Sequence, residues 1–389
     1  MCALKVLVST ESEDKVHAPI TVDGGLIAPD YNEMVFLLRN RTNHTPSYND
    51  LTEDLFRADM TPNKTVAHVL GTLSGYAYGD TDTLAKAAGR IGLGRSSVRK
   101  IGQSVDAALI DSTAYVIQSE DGRVAILCYR GTPPLNLIDW MLDADIYPQK
   151  IGLTLANTPG SFDIHAGFYR NVCATYPEVI EVIERALNGR SVLDNKSVPN
   201  SLEALYITGH SLGGAMAAIM AVLLNSNSDA SRIMNRLKAV YTFGQPMVGS
   251  PEFAENCNED AFLRENVVRY VYKLDLVPAL PPRISGSFAH FGKEQRYICN
   301  GQNQWRWKDT TQNPIGQVGM IGDFIQDVSG FANWGLGKVL PLKPILELLA
   351  HKAVLFNKVQ FWSGTRSVED HIPNYYIKAV TPPDVLVRC

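Results

Sequence analysis

From about residue 113 onward, hydrophobic and polar positions follow the periods of strands and helices. Two β-rich runs flank Asp121-Gly122, a pair typical of a tight turn, and they predict a hairpin of Thr113–Gln118 and Arg123–Tyr129. Apolar residues three and four positions apart predict a helix over Gly167–Leu187. Shorter apolar runs predict a strand, a helix and three more strands: Leu205–Thr208, Leu212–Leu224, Ala239–Phe243, Val267–Tyr272 and Arg296–Cys299. This alternation predicts an α/β fold, with a mostly parallel sheet and helices on both faces.

The first part of the chain is harder to interpret than the rest. Residues 1–60 show no sustained period, and we interpret them as an N-terminal extension that packs on the core. Residues 61–389 are then expected to form one domain, because undivided α/β folds often exceed ~250 residues.

Composition and charge narrow the possible partners. The chain has 389 residues, of which 45% are hydrophobic and 20% charged, as is ordinary for a globular protein. A net charge of -4 and a pI near 6.1 lack the basic footprint of a nucleic-acid binder. The six cysteines form no CxxC pair and no metal-ligand spacing. We therefore expect reduced thiols, no metal, no cofactor and no obligatory protein partner.

The N-terminal stretch does not resemble a targeting signal. MCALKVLVST contains only a short apolar run without a basic flank, and ESED follows it at once. No stretch offers the ~20 apolar residues that a membrane span needs. We expect a protein that is cytoplasmic or peripheral to a membrane, and export without a cleaved signal stays open.

The stretch ITGHSLGGAMA, Ile207 to Ala217, combines a predicted strand, a G-x-S-x-G turn and an Ala-rich predicted helix. In such a nucleophile elbow the backbone at the serine is strained, and residues two before and two after it must be small. Gly209 and Gly213 occupy these positions around Ser211. The helix N-terminus that follows favours developing negative charge. Ser211 is therefore a candidate nucleophile.

Several segments in the same order resemble the class 3, fungal-type lipase family of the α/β-hydrolase superfamily. They are CYRGTPPLNLIDWMLDAD (128–145), IHAGFYRNV (164–172), ITGHSLGGAMA, YTFGQPMVGS (241–250), AHFGKE (289–294) and VEDHIPNYY (368–376). The resemblance covers about residues 65–300 and 365–380. It implies an α/β-hydrolase fold whose catalytic domain spans 61–389.

A nucleophilic serine needs a base, and the base needs an orienting carboxylate. The α/β-hydrolase order is serine, acid, histidine, and Asp275 follows the strand Val267–Tyr272. The alternative is that Asp275 has no catalytic role and is a turn residue before the Pro-rich LVPALPP. The resemblance implies His371 as the base.

Other histidines compete less well for the role of base. His290 lies only 15 residues past Asp275, across a Pro-rich stretch, and is the nearest rival to His371. His351 follows an apolar helical run and is expected to be a helix residue. His165 and His210 are expected to be structural.

The tetrahedral intermediate of acyl transfer needs at least two hydrogen-bond donors. One is expected from the backbone N–H of Leu212, the residue after the nucleophile. By resemblance, the other comes from Thr132, with Gly131 allowing close approach and Asp143 holding the Thr132 hydroxyl. The alternative makes Thr132 a turn residue and Asp143 a charge on a helix surface.

Residues 296–365 have no counterpart in the family pattern. We predict that 300–362 form an inserted helical cap or lid. Apolar residues from Val318 to Ala332 recur three and four positions apart, and four of the five tryptophans fall in this span. Trp140 lies where the family carries its lid. The predicted lid and cap residues are Trp140, Ile321, Phe324, Ile325, Val328 and Trp334. The alternative is ordinary core packing.

These features predict a serine hydrolase that cleaves carboxylic esters of lipids through an acyl-enzyme on Ser211, as an acylglycerol (triacylglycerol) lipase. The expected partner is a lipid or another hydrophobic ester, with contact to a membrane or lipid-droplet surface. Phospholipase A1, small-ester esterase and acyltransferase activities are alternatives that use the same residues. A hydrolase fold that binds lipid without catalysis is a further alternative.

Overall fold

The computed structural model describes residues 48–59, 61–105, 110–132, 148–281, 283–299, 304–317 and 369–382. Its centre is an eight-stranded sheet with the strand order β1-β2-β3-β6-β7-β8-β9-β10. β3, β6, β7, β8 and β9 run parallel, whereas β1, β2 and β10 are antiparallel to their neighbours. β4 and β5 form a separate hairpin. The strands are β1 Ser97–Val105, β2 Ile110–Gln118, β3 Val124–Tyr129, β4 Pro148–Leu155, β5 Thr158–His165, β6 Ala204–His210, β7 Leu237–Phe243, β8 Val267–Tyr272, β9 Lys293–Cys299 and β10 Trp305–Asp309.

Helices cover both faces of the sheet, as predicted. α4 and α5 pack on one face, and α1, α2, α3 and α9 pack on the other. Their bounds are α1 Leu51–Arg57, α2 Lys64–Tyr76, α3 Thr81–Ile91, α4 Ala166–Leu187, α5 Leu212–Ser226, α6 Ser231–Met234, α7 Pro251–Glu259, α8 Ala261–Asn266 and α9 Pro373–Val380. Among the described residues, no helix is long and apolar enough to cross a membrane.

The central strands are apolar without interruption because both of their faces are covered. In β3, Leu127 and Tyr129 face the core under α4 and α5, while Ile126 and Cys128 face the opposite core. All six residues of β3 are buried. Parallel strands between two helical layers require this continuous apolar pattern. The predicted mostly parallel sheet with helices on both faces is confirmed.

The helix α1 lies within the predicted N-terminal extension and contributes to the core on the sheet face that α1, α2, α3 and α9 cover. Its Leu51 and Leu55 are buried. Tyr206 on β6 donates a hydrogen bond of 2.7 Å from its hydroxyl to the Leu55 carbonyl. Residues 1–47 lie outside the described part, and the boundary at residue 60 stays a prediction.

Within the predicted cap at 300–362, residues 305–309 form β10, an edge strand of the central sheet. β10 pairs antiparallel with β9, from Trp305 opposite Cys299 to Asp309 opposite Gln295. Trp307 packs edge-on against Tyr270 and donates its indole N–H to the Ala379 carbonyl at 2.8 Å. The alternating WRWKD pattern is that of a strand with one aromatic face.

The remaining cap and lid residues lie outside the described part of the chain. They are Trp140, Ile321, Phe324, Ile325, Val328 and Trp334. The predicted support residue Asp143 and the rival histidine His351 also lie outside it. Their predicted roles stay predictions.

Candidate active site

Ser211 sits in a strained turn between β6 and α5. Its backbone has φ 59° and ψ -129°, a combination that is costly for a residue with a side chain. The surrounding contacts impose this conformation: the Ser211 N–H donates to the Phe243 carbonyl at 2.9 Å, and its own carbonyl accepts from the Gly214 N–H. Strain of this kind is concentrated at functional sites.

The two glycines of the motif are required by backbone packing. A Cβ on Gly209 would lie 2.2 Å from the Gly213 carbonyl carbon, and a Cβ on Gly213 would lie 2.3 Å from the Tyr129 oxygen. The first turn of α5 therefore approaches the ends of β6 and β3 at distances that no side chain tolerates. This close packing presents the helix N-terminus at the end of the sheet.

Asp275 and His371 form a buried pair although 96 residues separate them. His371 Nδ1 lies 2.8 Å from Asp275 Oδ2, and the exposed fractions are 3% for His371 and 0% for Asp275. Because a carboxylate only accepts hydrogen bonds, Nδ1 carries the proton. Nε2 of the neutral ring is then free to accept a proton, as a general base requires.

Two further donors hold the Asp275 carboxylate. The Val277 N–H donates to Oδ1 at 2.9 Å, and the Tyr376 hydroxyl donates to Oδ2 at 2.5 Å. Burial and the adjacent Asp275 carboxylate raise the pKa of Tyr376 well above its usual range, so the hydroxyl stays protonated. The Tyr376 hydroxyl oxygen also accepts a hydrogen bond from the Tyr272 N–H at 3.0 Å. Sequence reasoning missed Tyr376, although it lies in the quoted segment VEDHIPNYY.

Ser211 and the Asp275–His371 pair meet where β6, β7 and β8 end. Gly244, directly after β7, shows the crowding: a Cβ there would lie 2.9 Å from both Asp275 Oδ2 and His371 Nδ1. Ser211 is 1% exposed. Neither Ser211 Oγ nor His371 Nε2 makes a hydrogen bond to any described residue. Catalytic hydrogen bonds are often long without substrate and tighten when it binds.

The two predicted oxyanion donors border the same elbow. Leu212 is the first residue of α5, so its N–H belongs to the helix end that has no intrahelical acceptor. Gly131, beside Thr132, runs against the elbow: a Cβ on Gly131 would lie 2.6 Å from the His210 carbonyl oxygen. Thr132 itself is half-buried. These positions suit two donors near the reacting carbonyl.

The described rival histidines have other partners. His290 donates from Nε2 to the Pro278 carbonyl at 2.7 Å, and burial and Arg269 lower the pKa of His290 to about 3. His165 caps α4 through its Nδ1, which accepts from the Phe168 N–H at 3.4 Å, and its ring stacks on Phe168. The carboxylate of Asp275 pairs with His371 and not with either of them. No group of three potential metal ligands occurs within the described ranges.

Comparison with known proteins finds a family whose members resemble the part of the chain that carries this site. The family model described as Lipase (class 3) matches residues 126–285, a range that contains both Ser211 and Asp275. This segment, which is less than half of the chain, is similar to class 3 lipases. The family resemblance read from the motifs is thereby confirmed.

The chain is similar to lipases of plants and fungi. The triacylglycerol lipase OBL1 of Ricinus communis is 25% identical over 230 residues, which cover 51% of this chain and 42% of that protein. The lipase of Rhizomucor miehei is 29% identical over 196 residues, 50% of this chain and 47% of that protein. The chain thus matches less than half the length of each. The solved Rhizomucor miehei triacylglyceride lipase aligns at 22% identity and a TM-score of 0.45, over 62% of this chain and 82% of that one.

Proposed function

We propose that the protein is a serine hydrolase that cleaves carboxylic esters of lipids, as a triacylglycerol lipase. The proposal rests on one observation: Ser211 occupies a strained elbow, with φ 59°, at the carboxyl ends of the central strands. At the same ends, the buried His371 forms a hydrogen bond of 2.8 Å with Asp275. A relative in Ricinus communis is named a triacylglycerol lipase, which supports the choice of lipid esters.

The proposed reaction passes through an acyl-enzyme. His371 Nε2 takes the proton of Ser211 Oγ as the oxygen attacks the ester carbonyl carbon. The Leu212 N–H and Thr132 stabilise the oxyanion. Collapse breaks the bond to the alcohol, which leaves with the proton from His371. Water, deprotonated by His371, then attacks the acyl group and releases the fatty acid and Ser211.

Asp275 stabilises the imidazolium that forms at each proton transfer and stays ionised throughout. Its two other donors, the Val277 N–H and the Tyr376 hydroxyl, fix the carboxylate in the orientation that keeps the proton on His371 Nδ1. No water needs to solvate this buried carboxylate, since protein donors already do so.

Contact with a lipid surface belongs to the same proposal. Leu274, adjacent to Asp275, and Trp305 on β10 are large apolar side chains with 45% of their surface exposed. Tryptophan favours boundaries that are apolar on one side and wet on the other. Both features support action at a membrane or droplet surface.

The test of the nucleophile compares two buried serines. A fluorophosphonate probe is expected to add once to the wild type and not to Ser211→Ala, measured as intact mass. Ser285→Ala is the matched control, because Ser285 Oγ is also buried and without a hydrogen-bond partner among the described residues. Equal labelling of the wild type and Ser211→Ala would refute the assignment.

The test of substrate class uses the same proteins on a panel of esters. The panel contains p-nitrophenyl butyrate and palmitate, a triacylglycerol emulsion and phosphatidylcholine vesicles. Activity is expected on the triacylglycerol, with a rise once the substrate exceeds its solubility limit. Preferential release of fatty acid from phosphatidylcholine would instead identify a phospholipase.

A further inference from the structure

His210, inside the elbow, joins the turn of the nucleophile to the backbone of the base. Its Nε2 lies 2.8 Å from the carbonyl oxygen of His371, and the two rings lie 4.5 Å apart. We propose that His210 is a positioning residue that fixes the backbone of His371, and that Tyr78 fixes His210 in turn. The proposal rests on the proposed function, because it concerns the base of that site.

The direction of each hydrogen bond follows from the chemistry of the partners. A carbonyl oxygen only accepts, so His210 Nε2 carries the hydrogen. Burial holds the pKa of His210 well below its usual range, and the nearby His371 lowers this pKa further, so the ring is neutral. Nδ1 of this tautomer can only accept, and the Tyr78 hydroxyl, 2.8 Å away, is the donor. Both hydrogen bonds are therefore donated in the same direction: Tyr78 donates to His210, and His210 donates to the His371 carbonyl.

Tyr78 also borders the predicted oxyanion segment. A Cβ placed on Gly131 would lie 2.1 Å from the Tyr78 hydroxyl oxygen and 2.6 Å from the His210 carbonyl oxygen. The three groups thus pack without room for another atom. One buried unit, made of Tyr78, His210 and Gly131, lies against the elbow, the base and the oxyanion segment.

The backbone of His371 needs this second anchor. Its imidazole is tied to Asp275, but His371 ends a single 3-10 turn, Glu369–His371, that precedes α9. The neighbouring Asp370 also accepts from the Leu274 N–H at 3.2 Å, but neither bond restrains the His371 carbonyl. Without a further bond, the His371 peptide can rotate and carry Nε2 away from Ser211. The bond from His210 to the carbonyl removes that freedom, and His210 is itself the residue before Ser211.

The experiment removes the donor and then restores it. His210→Phe keeps a planar ring but cannot donate, whereas the amide of His210→Gln can still reach the carbonyl as a donor. Tyr78→Phe removes one oxygen and leaves His210 Nδ1 without its donor. His68→Phe is the matched control, since His68 is also fully buried and its Nδ1 is bonded to a tyrosine, Tyr48, at 2.9 Å. Its ring makes no hydrogen bond to His371.

Two readouts separate positioning from folding. The first is kcat on p-nitrophenyl butyrate per active site, with the sites counted by fluorophosphonate titration. The second is the strongly downfield NMR resonance of the His371 Nδ1 proton held by Asp275. We expect His210→Phe to lose about 10²-fold in kcat at little change in KM, as for a misplaced catalytic group, and to lose the resonance. His210→Gln and His68→Phe keep both, and Tyr78→Phe lies between.

The outcomes distinguish the proposals. If His210→Phe keeps the wild-type resonance and kcat per site, or behaves like His68→Phe, His210 has no positioning role. If His210→Phe does not fold, Tyr78→Phe decides, because an unchanged resonance and kcat there overturn the proposal. If the wild type turns over no ester, the proposed function fails, while the resonance still shows whether His210 holds His371.

Discussion

A single buried carboxylate organises the site at the scale of residues. Asp275 accepts from His371, Val277 and Tyr376 without any exposed surface. A buried acceptor that loses one of its partners costs about 1–3 kcal/mol. The hydroxyl of Tyr376 is the one partner that can be deleted without changing the backbone or the base.

Tyr376→Phe is expected to lower the free energy of unfolding by about 1–3 kcal/mol, because Asp275 Oδ2 and the Tyr272 N–H both lose a partner. It should also lower kcat at nearly constant KM, since the carboxylate that orients His371 is less restrained. Urea unfolding and steady-state kinetics measure the two effects. Tyr375→Phe is the control, because its ring stacks on Tyr272 at 5.6 Å and does not bond Asp275. Equal effects of the two changes would contradict the role of Tyr376.

The residues that perform the proposed chemistry were predictable, but the residues that hold them were not. Ser211 lies in a local motif, the order of acid and histidine directed attention to Asp275, and the family resemblance singled out His371 among the later histidines. Tyr376 and His210 act on partners 101 and 161 residues away along the chain. Periodicity and spacing report only local neighbours, so such pairings appear only when the strands and helices are assembled.

At the scale of elements, the join between β6 and α5 depends on glycines that touch backbone. Gly213 faces the Tyr129 oxygen and the Arg130 carbonyl carbon, which belong to the end of β3 and the residue after it. Backbone at the end of a central strand cannot shift without disturbing the sheet. A side chain at Gly213 would therefore separate α5 from β3 and move Ser211.

Gly213→Ala is expected to destabilise the fold by about 3 kcal/mol or more, as severe overpacking does. Gly89→Ala is the matched control inside α3, where an added Cβ meets nothing within 4 Å. That change should stabilise the protein by roughly 0.5–1 kcal/mol, because alanine has the higher helix propensity. Urea unfolding of both variants checks the pair. A Gly213→Ala protein as stable as the wild type would contradict the packing described here.

The elements themselves were predictable where their patterns are long or uniformly apolar. β8 and α4 match their predicted bounds within one residue at each end. β10 was missed because WRWKD has only five residues, and its tryptophans suggested a cap surface. Its register depends on β9 and on Ala379, which accepts from Trp307. A short edge strand is determined by such neighbours more than by its own sequence.

At the scale of the whole molecule, several buried histidines couple the fold to pH. Burial lowers the pKa of His68 to about 4 and that of His165 to about 3, and burial with Arg269 lowers that of His290 to about 3. Unfolded histidines titrate near 6.5. Below that pH the unfolded chain binds protons that the folded chain does not, so the free energy of unfolding falls as pH falls.

Stability is therefore expected to be full above pH ~6.5 and to decrease towards pH 4, by roughly 1.4 kcal/mol per pH unit for each such histidine. Burial alone would raise the pKa of Glu294, but Arg269 and other partners hold it at about 2, so its contribution is lost only below pH ~4.5. Urea unfolding at pH 7 and pH 5 measures the difference. His68→Phe should reduce the pH slope by one proton. Stability that does not change between these pH values would mean that the histidines are not held neutral.

The separation of Asp275 and His371 along the chain also sets a time during synthesis. The histidine is added 96 residues after the aspartate, and ribosomes add about 5–20 residues per second, so the interval is about 5–20 s. During it the nascent chain carries the nucleophile and the carboxylate but no base. Helix α9 then brings Tyr376 to Asp275 and packs Ile377 against Gly75 of α2. The proposed hydrolase is therefore made in an inactive form, and its activity begins only when this late helix has been translated and docked.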